Sequence, residues 1–175
     1  MENEMNNKFE VIDNALSKKD FDEIKSVIMH ETFPWSVSRS ITGEGEKITN
    51  TFYMTHVFYN FDMPQSKYFD ILIPLLREIN PSALVRIKAN FYPNQNNFVE
   101  HDMHSDYDRS WRLPNSSHGA ILYLNDNNGY TKLKNDNVKI ESKENRLLLF
   151  DSTQMHCSTN CTDDFARLNI NVNYF

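Results

Sequence analysis

Long apolar stretches are missing from this sequence. Hydrophobic residues make up 39% of its 175 residues, and the mean hydropathy is -0.62. No segment approaches the roughly 20 consecutive apolar residues that a membrane-spanning helix needs. The first ten residues, MENEMNNKFE, also lack the basic start and the apolar stretch of a secretory signal. We therefore expect a cytoplasmic protein without a membrane segment.

Positive charge and cysteine are also scarce. The chain carries 18 Lys and Arg against 24 Asp and Glu, a formal net charge of -6, and its basic residues form no cluster. Because nucleic-acid binding relies on clustered basic residues that displace counterions, the sequence gives no strong nucleic-acid signal. The two cysteines, Cys157 and Cys161, are expected to be thiols in a reducing compartment. The sequence does not indicate an oligomeric state.

Glycine and proline are few, with four and six residues respectively, and no internal repeat or linker-like segment divides the chain. A chain of this length supports one hydrophobic core of ordinary size. We predict a single domain over 1–175, in which residues 1–83 supply supporting strands and helices and residues 84–175 form the core with the functional site.

The first half of the sequence predicts a mixture of strands and helices. FEVIDNALS alternates apolar and polar residues up to Ser17, and KKDFDEIKSVIMHE then shows helical spacing, which favours a strand followed by a capped helix. Two β-rich runs flank the polar segment GEGEKITN, residues 43–50, which indicates a hairpin or finger loop. A second helix is predicted from about residue 65 to 79, kinked or started near Pro74 and ended by Asn80 and Pro81.

The second half predicts strands throughout. Six short β-branched or aromatic runs are separated by Asn, Asp, Gly and Pro turns: VRIKANFY, HGAILYLN, YTKLKN, VKIES, RLLLFDS and RLNINVNYF. Two helices followed by this many strands favour an α+β, mainly β fold. We expect a sandwich or jelly-roll barrel with the N-terminal helices packed on one outer face.

The segment EHDMHSDYD concentrates acidic residues and histidines. Of the six histidines, only His104 has an acidic residue two positions later, Asp106. With 24 acidic residues in the chain, roughly 0.8 such pairs are expected by chance, so the motif alone proves nothing. In an extended segment, however, residues i and i+2 point to the same side and can ligate one ion.

A third ligand is available further along the chain. His156 follows the apolar run RLLLFDS, which would return the chain to the mouth of the barrel. Two histidines and one carboxylate form the facial triad that leaves coordination positions open on Fe(II). Taken singly, each histidine is more often a surface or hydrogen-bonded residue, so the hypothesis depends on all three together.

The last strand carries a cation. In RLNINVNYF, one face would hold Leu168, Ile170, Val172 and Tyr174, and the other Arg167, Asn169, Asn171 and Asn173. The planar guanidinium of Arg167 suits bidentate capture of a carboxylate near a metal. A solvent-facing strand with one positive charge would give the same pattern.

These motifs together carry a family resemblance. The order YP, HxD, a YLN strand, an NRLLLF strand, His and Arg resembles the Fe(II)- and 2-oxoglutarate-dependent dioxygenases of the prolyl-4-hydroxylase-like branch, over about residues 84–175. The resemblance implies a double-stranded β-helix, the jelly-roll of cupin-like proteins. It implies that His104, Asp106 and His156 bind iron and that Arg167 binds the 5-carboxylate of 2-oxoglutarate. Tyr123 would assist that carboxylate, and Tyr92 would lie near the iron-proximal end of the cosubstrate.

The resemblance also implies a reaction. Fe(II), 2-oxoglutarate and O2, with ascorbate as an auxiliary reductant, would support hydroxylation of a substrate with release of succinate and CO2. The favoured substrate is a prolyl residue in a peptide or protein. Another amino-acid side chain, a small molecule and a nucleic-acid base remain alternatives, as does a non-catalytic cupin-like module that binds a metal or small molecule. The short chain resembles small phage or microbial members of the family, and the cytoplasm expected above would be the host cytoplasm if the protein is phage-encoded.

Other interpretations of the same residues stay open. His101 is a rival ligand to His104, and His156 with Cys157 and Cys161 offers zinc-binding atoms, although the spacing fits no common zinc motif. A Cys157–His156 nucleophilic pair lacks a separate activating base. The polar segments 36–50 and 108–118, the latter carrying Trp111 and Arg112, are either substrate lids or ordinary surface loops.

Overall fold

The computed structural model describes residues 9–39, 52–106, 117–135 and 137–175. The predicted loop over 43–50 and most of the two candidate lid segments, including Trp111 and Arg112, lie outside these residues. Within them the order of elements is β1 (Phe9–Ile12), α1 (Lys18–Ile28), β2 (Ser36–Ser38), β3 (Tyr53–Asn60), β4 (Met63–Pro64), a 3₁₀ turn (Phe69–Leu72), α2 (Ile73–Ile79), β5 (Leu84–Pro93), β6 (His118–Tyr123), β7 (Tyr130–Leu133), β8 (Val138–Glu141), β9 (Leu147–Asp151), β10 (His156–Ser158) and β11 (Ala166–Tyr174).

Both helices begin and end where local chemistry dictates. The Ser17 hydroxyl accepts a hydrogen bond from the backbone N–H of Asp20, which caps α1 as predicted. The second helical segment is shorter than predicted, because its first part is the 3₁₀ turn and α2 proper carries Pro74 in its first turn. It ends at Asn80, whose left-handed backbone (φ 45°) closes the helix.

The strands form two antiparallel sheets that face each other. The major sheet has the order β1-β9-β6-β11-β5-β3-β2, with β4 beside β3, and the minor sheet has the order β10-β7-β8. This confirms the predicted mainly-β, jelly-roll architecture. All six strands predicted in the second half are present, whereas β10 was not predicted. The division of the chain near residue 84 into a support and a core stays a prediction.

The helices cover one face of the major sheet. Their apolar side chains, including Phe21, Ile24 and Leu75, share a core with Ile170 and Val172 of β11. A second, smaller apolar cluster lies between the two sheets. This layering places the helices on one outer face, as predicted, and leaves the space between the sheets for a site.

Strand β11 separates the apolar core from that space. All nine of its residues are buried, so the side chains of Arg167, Asn169, Asn171 and Asn173 do not face solvent. The alternative of a solvent-exposed polar face is therefore wrong: this face points between the sheets. No helix among the residues described is long and apolar enough to cross a membrane.

Candidate metal centre

The fold brings the three predicted ligands together. One potential ligand atom from each of His104, Asp106 and His156 lies within 4.8 Å of the other two. His156 comes from β10 of the minor sheet, whereas His104 and Asp106 follow β5 of the major sheet. The centre thus lies where the two sheets meet.

The backbone fixes the separation of the two histidines. The N–H of His104 donates to the carbonyl of His156 at 2.8 Å, and the N–H of His156 donates to the carbonyl of His104 at 2.7 Å. Nδ1 of His104 lies 3.2 Å from the carbonyl of Asp102, and Nδ1 of His156 lies 3.0 Å from that of Gln154. Each Nδ1 is therefore placed to carry the proton, which leaves Nε2 of each ring as the ligand atom.

Three further side chains hold the carboxylate of Asp106. The amides of Asn171 and Asn173 donate to Oδ2 at 2.9 and 3.0 Å, and Arg86 donates to Oδ1 at 3.3 Å. Arg86 also donates to Oδ1 of Asn173 at 3.2 Å. Such contacts orient a metal ligand without touching the metal. Sequence reasoning missed these roles, although the alternating asparagines of β11 were visible.

The electrostatics of the centre keep Asp106 and His104 in the protonation states in which they bind metals. Burial would raise the pKa of Asp106, but His156, Arg86 and Lys88 and the hydrogen bond from Asn171 hold it well below its usual range. Burial, with the nearby His156, lowers the pKa of His104. At neutral pH the carboxylate is ionised and His104 is neutral, which is the state in which both bind metals. Oδ2 of Asp106 lies 3.7 Å from Nε2 of His156, close enough for both to contact one ion.

Arg167 lies deep between the sheets. Its guanidinium is fully buried and donates to Oγ of Ser142 at 2.6 Å, Oγ1 of Thr131 at 2.9 Å and the carbonyl of Thr159 at 3.3 Å. No acidic side chain in the part of the chain that the structure describes forms an ion pair with it. A buried cation with only neutral partners is costly unless an anionic ligand completes it.

The two predicted tyrosines flank this guanidinium. The rings of Tyr92 and Tyr123 each lie with their centroids 5.5 Å from the Arg167 guanidinium carbon. Tyr123 donates to Oγ1 of Thr131 at 2.8 Å. Burial raises the pKa of Tyr92 to about 12, against the opposing effect of Arg167, and burial also raises the pKa of Tyr123. Both phenols therefore keep their protons at neutral pH and can act as hydrogen-bond donors.

Known structures share this architecture. A prolyl hydroxylase from Trichoplax adhaerens, in complex with a hypoxia inducible factor peptide fragment, is 17% identical, with a TM-score of 0.70 over 97% of this chain and 84% of that chain. The viral collagen prolyl hydroxylase of Paramecium Bursaria Chlorella virus-1, in its 2OG complex, is 16% identical, with a TM-score of 0.58 over 96% and 95%. A 2OG-Fe(II) oxygenase family protein from Burkholderia pseudomallei is 10% identical, with a TM-score of 0.66 over 95% and 84%.

The chain has the fold of the 2OG-Fe(II) oxygenases. No protein-family model and no curated protein sequence matches it. The structural similarity covers 95–97% of the chain. It includes the N-terminal half, where the sequence resemblance was limited to the outline of strands and helices.

In this oxygenase fold a polar cavity lies between the two histidine ligands and β11, the strand that carries Arg167. It is lined by Lys88, Asn90, Tyr92, His104, Ile121, Thr131, His156, Ser158, Asn169 and Asn171. Oδ1 of Asn90 and Oδ1 of Asn171 are buried acceptors without a hydrogen-bond partner among the described residues. Orphaned acceptors are expected where a polar ligand completes the site. The donor set of two imidazoles, a carboxylate and a distant guanidinium thus fits Fe(II) with a dicarboxylate.

The other candidate metal ligands predicted from the sequence, His101, Cys157 and Cys161, are not part of the His104, Asp106 and His156 cluster. Nδ1 of His101 lies 3.0 Å from Oγ of Ser158, and its ring packs on Tyr92. Cys157 and Cys161 are buried free thiols, and burial raises the pKa of each, which disfavours a metal-binding or nucleophilic thiolate. The group of potential ligands found among the described residues is His104, Asp106 and His156, without His101 or a cysteine.

Proposed function

We propose that this protein is an Fe(II)- and 2-oxoglutarate-dependent oxygenase. The observation that carries the proposal is the presence, between the two sheets, of a His-Asp-His cluster together with a buried arginine that has only neutral hydrogen-bond partners among the described residues. The buried guanidinium without an anionic partner costs free energy, and two imidazoles with one carboxylate are a ligand set for a single ion. A metal and a dicarboxylate would complete both groups.

Each side chain then has a distinct task. His104, Asp106 and His156 would hold Fe(II), which supplies the activation of O2 when it is bound. Arg167 would bind the far carboxylate of 2-oxoglutarate, with Tyr123 and Tyr92 on either side of it. Asn171, Asn173 and Arg86 keep the Asp106 carboxylate oriented, and the two sheets exclude water. In the overall reaction, substrate, O2 and 2-oxoglutarate give hydroxylated substrate, succinate and CO2, with ascorbate as an auxiliary reductant.

The favoured substrate is a prolyl residue in a peptide or protein. The proposal draws support from the folds of two structures that are similar to this chain, both prolyl hydroxylases, one in complex with a peptide fragment. The test is incubation with proline-containing peptides followed by mass spectrometry, where hydroxylation adds one oxygen atom. Turnover of a different substrate class without any such gain would reject the prolyl substrate and leave the oxygenase assignment intact.

An anaerobic titration tests the oxygenase assignment itself. Fe(II) and 2-oxoglutarate together should produce a visible charge-transfer band, because that band requires the metal and the chelating oxoacid at one site. The His104→Ala and Asp106→Ala proteins should lose the band and succinate formation. His30→Ala is the matched control, since His30 is exposed and its ring lies in hydrogen-bond distance of Thr32, away from the candidate metal ligands. Succinate formation by either ligand variant at the wild-type rate would contradict the assignment.

A further inference from the structure

Lys88 is the one lining residue of the cavity whose charge the proposed reaction does not use. It lies on β5, on the same face as Asn90 and Tyr92, and lines the cavity beside His104 and His156. Its Nζ lies 5.9 Å from the ring centroid of Tyr53, which stacks on Tyr92. Among the residues described, Nζ forms no ion pair. Asp106 raises the pKa of Lys88, but it is also the carboxylate of the candidate metal centre and is hydrogen-bonded to Arg86, so Lys88 does not have this counter-charge to itself.

The register of the strands places Lys88 at the metal end of the cavity. Arg167 pairs with Tyr92, Asn169 with Asn90 and Asn171 with Lys88 across β11 and β5. At about 3.3 Å per residue, Lys88 and Arg167 are separated by roughly 13 Å along the sheet. A five-carbon dicarboxylate held by Arg167 at one end would extend toward the candidate metal ligands with the other. Lys88 thus lies beside the candidate metal ligands and away from Arg167.

The charges of the completed site argue for an additional anion. Fe(II) and Arg167 would be balanced by Asp106 together with the two carboxylates of 2-oxoglutarate. Arg86 and Lys88 then remain as uncompensated positive charges next to the metal. Burial, and secondarily Arg86, lower the pKa of Lys88 to about 8, and Asp106 acts in the opposite direction. The half-buried ammonium group of Lys88 would be stabilised by an anionic partner.

A neighbouring acceptor adds a second requirement. Asn171, opposite Lys88 in the register, donates its amide N–H to Asp106, and this fixes which end of the side chain is the oxygen. Asn171 lines the cavity. Its Oδ1 is buried and accepts no hydrogen bond from the described part of the chain. A ligand that presents both a carboxylate and an N–H or O–H donor would satisfy Lys88 and Asn171 together.

We propose that the substrate is an amino-acid-like compound whose free carboxylate pairs with Lys88. This inference rests on the proposed oxygenase function, and it favours free amino acids, peptides with an accessible C-terminal carboxylate and related hydroxy or imino acids over a prolyl residue inside a long peptide. A prolyl residue flanked on both sides by long peptide segments would leave Lys88 without a counter-charge. A second carboxylate source is 2-oxoglutarate itself, so the test must separate the two.

Calorimetric binding to the zinc-loaded protein makes the test independent of turnover, since Zn(II) takes the same imidazole and carboxylate ligands and does no redox chemistry. With saturating 2-oxoglutarate, acids are compared with their amides: L-proline with L-prolinamide, N-acetyl-L-proline with its amide, and glycyl-L-proline with its amide. Wild type and Lys88→Arg should bind the acids roughly 10- to 100-fold more tightly than the amides, as expected for loss of a charged hydrogen bond. Lys88→Met should lose this preference, whereas the surface control Lys139→Met should keep it.

Two results would overturn the inference. One is the absence of any acid preference in the wild type, or the same preference in Lys88→Met. The other is weaker binding of 2-oxoglutarate by Lys88→Met with the acid preference unchanged, which would assign Lys88 to the cosubstrate. A normal Fe(II)–2-oxoglutarate band in the wild-type protein separates either outcome from failure of the proposed function, which would abolish that band.

Discussion

Replacing Arg167 with methionine should affect stability and ligand binding in opposite directions. The wild-type guanidinium is fully buried and has three neutral hydrogen-bond partners. Each such bond contributes about 1.5–3 kcal/mol, while removing an ion from water costs several kcal/mol. Methionine fills similar space without the desolvation cost. We expect the free energy of unfolding of the ligand-free protein to stay equal or rise by about 1–3 kcal/mol, as for other apolar replacements of buried ions.

Binding of 2-oxoglutarate should make the wild type more stable than Arg167→Met. At 2-oxoglutarate concentrations about 100 times the dissociation constant, linkage should stabilise the metal-loaded wild type by about 2.7 kcal/mol. Arg167→Met should gain none of this, because the carboxylate would enter a cavity without its cation. The assay is urea unfolding followed by far-UV circular dichroism, with zinc and with or without 2-oxoglutarate.

The control for this prediction is Arg146→Met. Arg146 pairs with Asp13 through Nε and Nη2 at 2.6 and 3.1 Å at the surface, so its loss should lower stability slightly and leave the effect of 2-oxoglutarate intact. If the free energy of unfolding of Arg167→Met without ligand is instead lower than that of the wild type by more than about 1 kcal/mol, Arg167 stabilises the fold by itself. Its lack of an acidic partner would then not indicate a binding site for an anion. An unchanged ligand effect in Arg167→Met would refute its assignment to the cosubstrate.

Three further predictions concern the surroundings of the site. Asn145→Ala should lower the free energy of unfolding, measured by urea denaturation, by about 2–4 kcal/mol. The buried Asn145 amide makes two hydrogen bonds to the backbone of Leu16, at 3.0 and 2.9 Å, and its φ of 57° disfavours alanine. A loss below about 0.5 kcal/mol would contradict this. Asn173→Leu should weaken zinc binding roughly 10-fold in calorimetry, since Asp106 loses a donor, and an unchanged affinity would count against that role. Folding lowers the pKa of His104, so as pH falls the unfolded chain binds the proton before the folded chain does. Without metal, the free energy of unfolding should therefore decrease as pH falls below about 6.5. His104→Gln should weaken this pH dependence in urea titrations at several pH values, and the same pH dependence in wild type and variant would refute the prediction.

The strands of the second half were predictable because their side chains carry the signal themselves. RLLLFDS and RLNINVNYF combine β-branched or aliphatic residues with turn residues at their ends, and both became strands within a residue of the prediction. Strand β10 was not predictable in this way. It has three residues, His156–Ser158, and becomes a strand only by pairing with β7, which no local pattern encodes.

The site divides along a similar line. His104, Asp106, His156 and Arg167 were proposed from residue type and order, and the structure brings the first three together and places the fourth in the same interior. Lys88 was missed because its meaning depends on which strand lies beside β11. The alternation in β11 predicted a polar face correctly, but a single sequence cannot say whether that face meets solvent or a second sheet.

The reciprocal backbone hydrogen bonds between His104 and His156 have a consequence for how the centre is filled. Because main-chain pairing sets the distance between the two rings, we expect the two histidine ligands to keep their spacing whether or not an ion is bound. Such a protein differs from small zinc modules, whose folding and metal binding are one event. We therefore expect metal loading to be an association with a largely preformed site, in which one divalent cation can be exchanged for another while the chain stays folded.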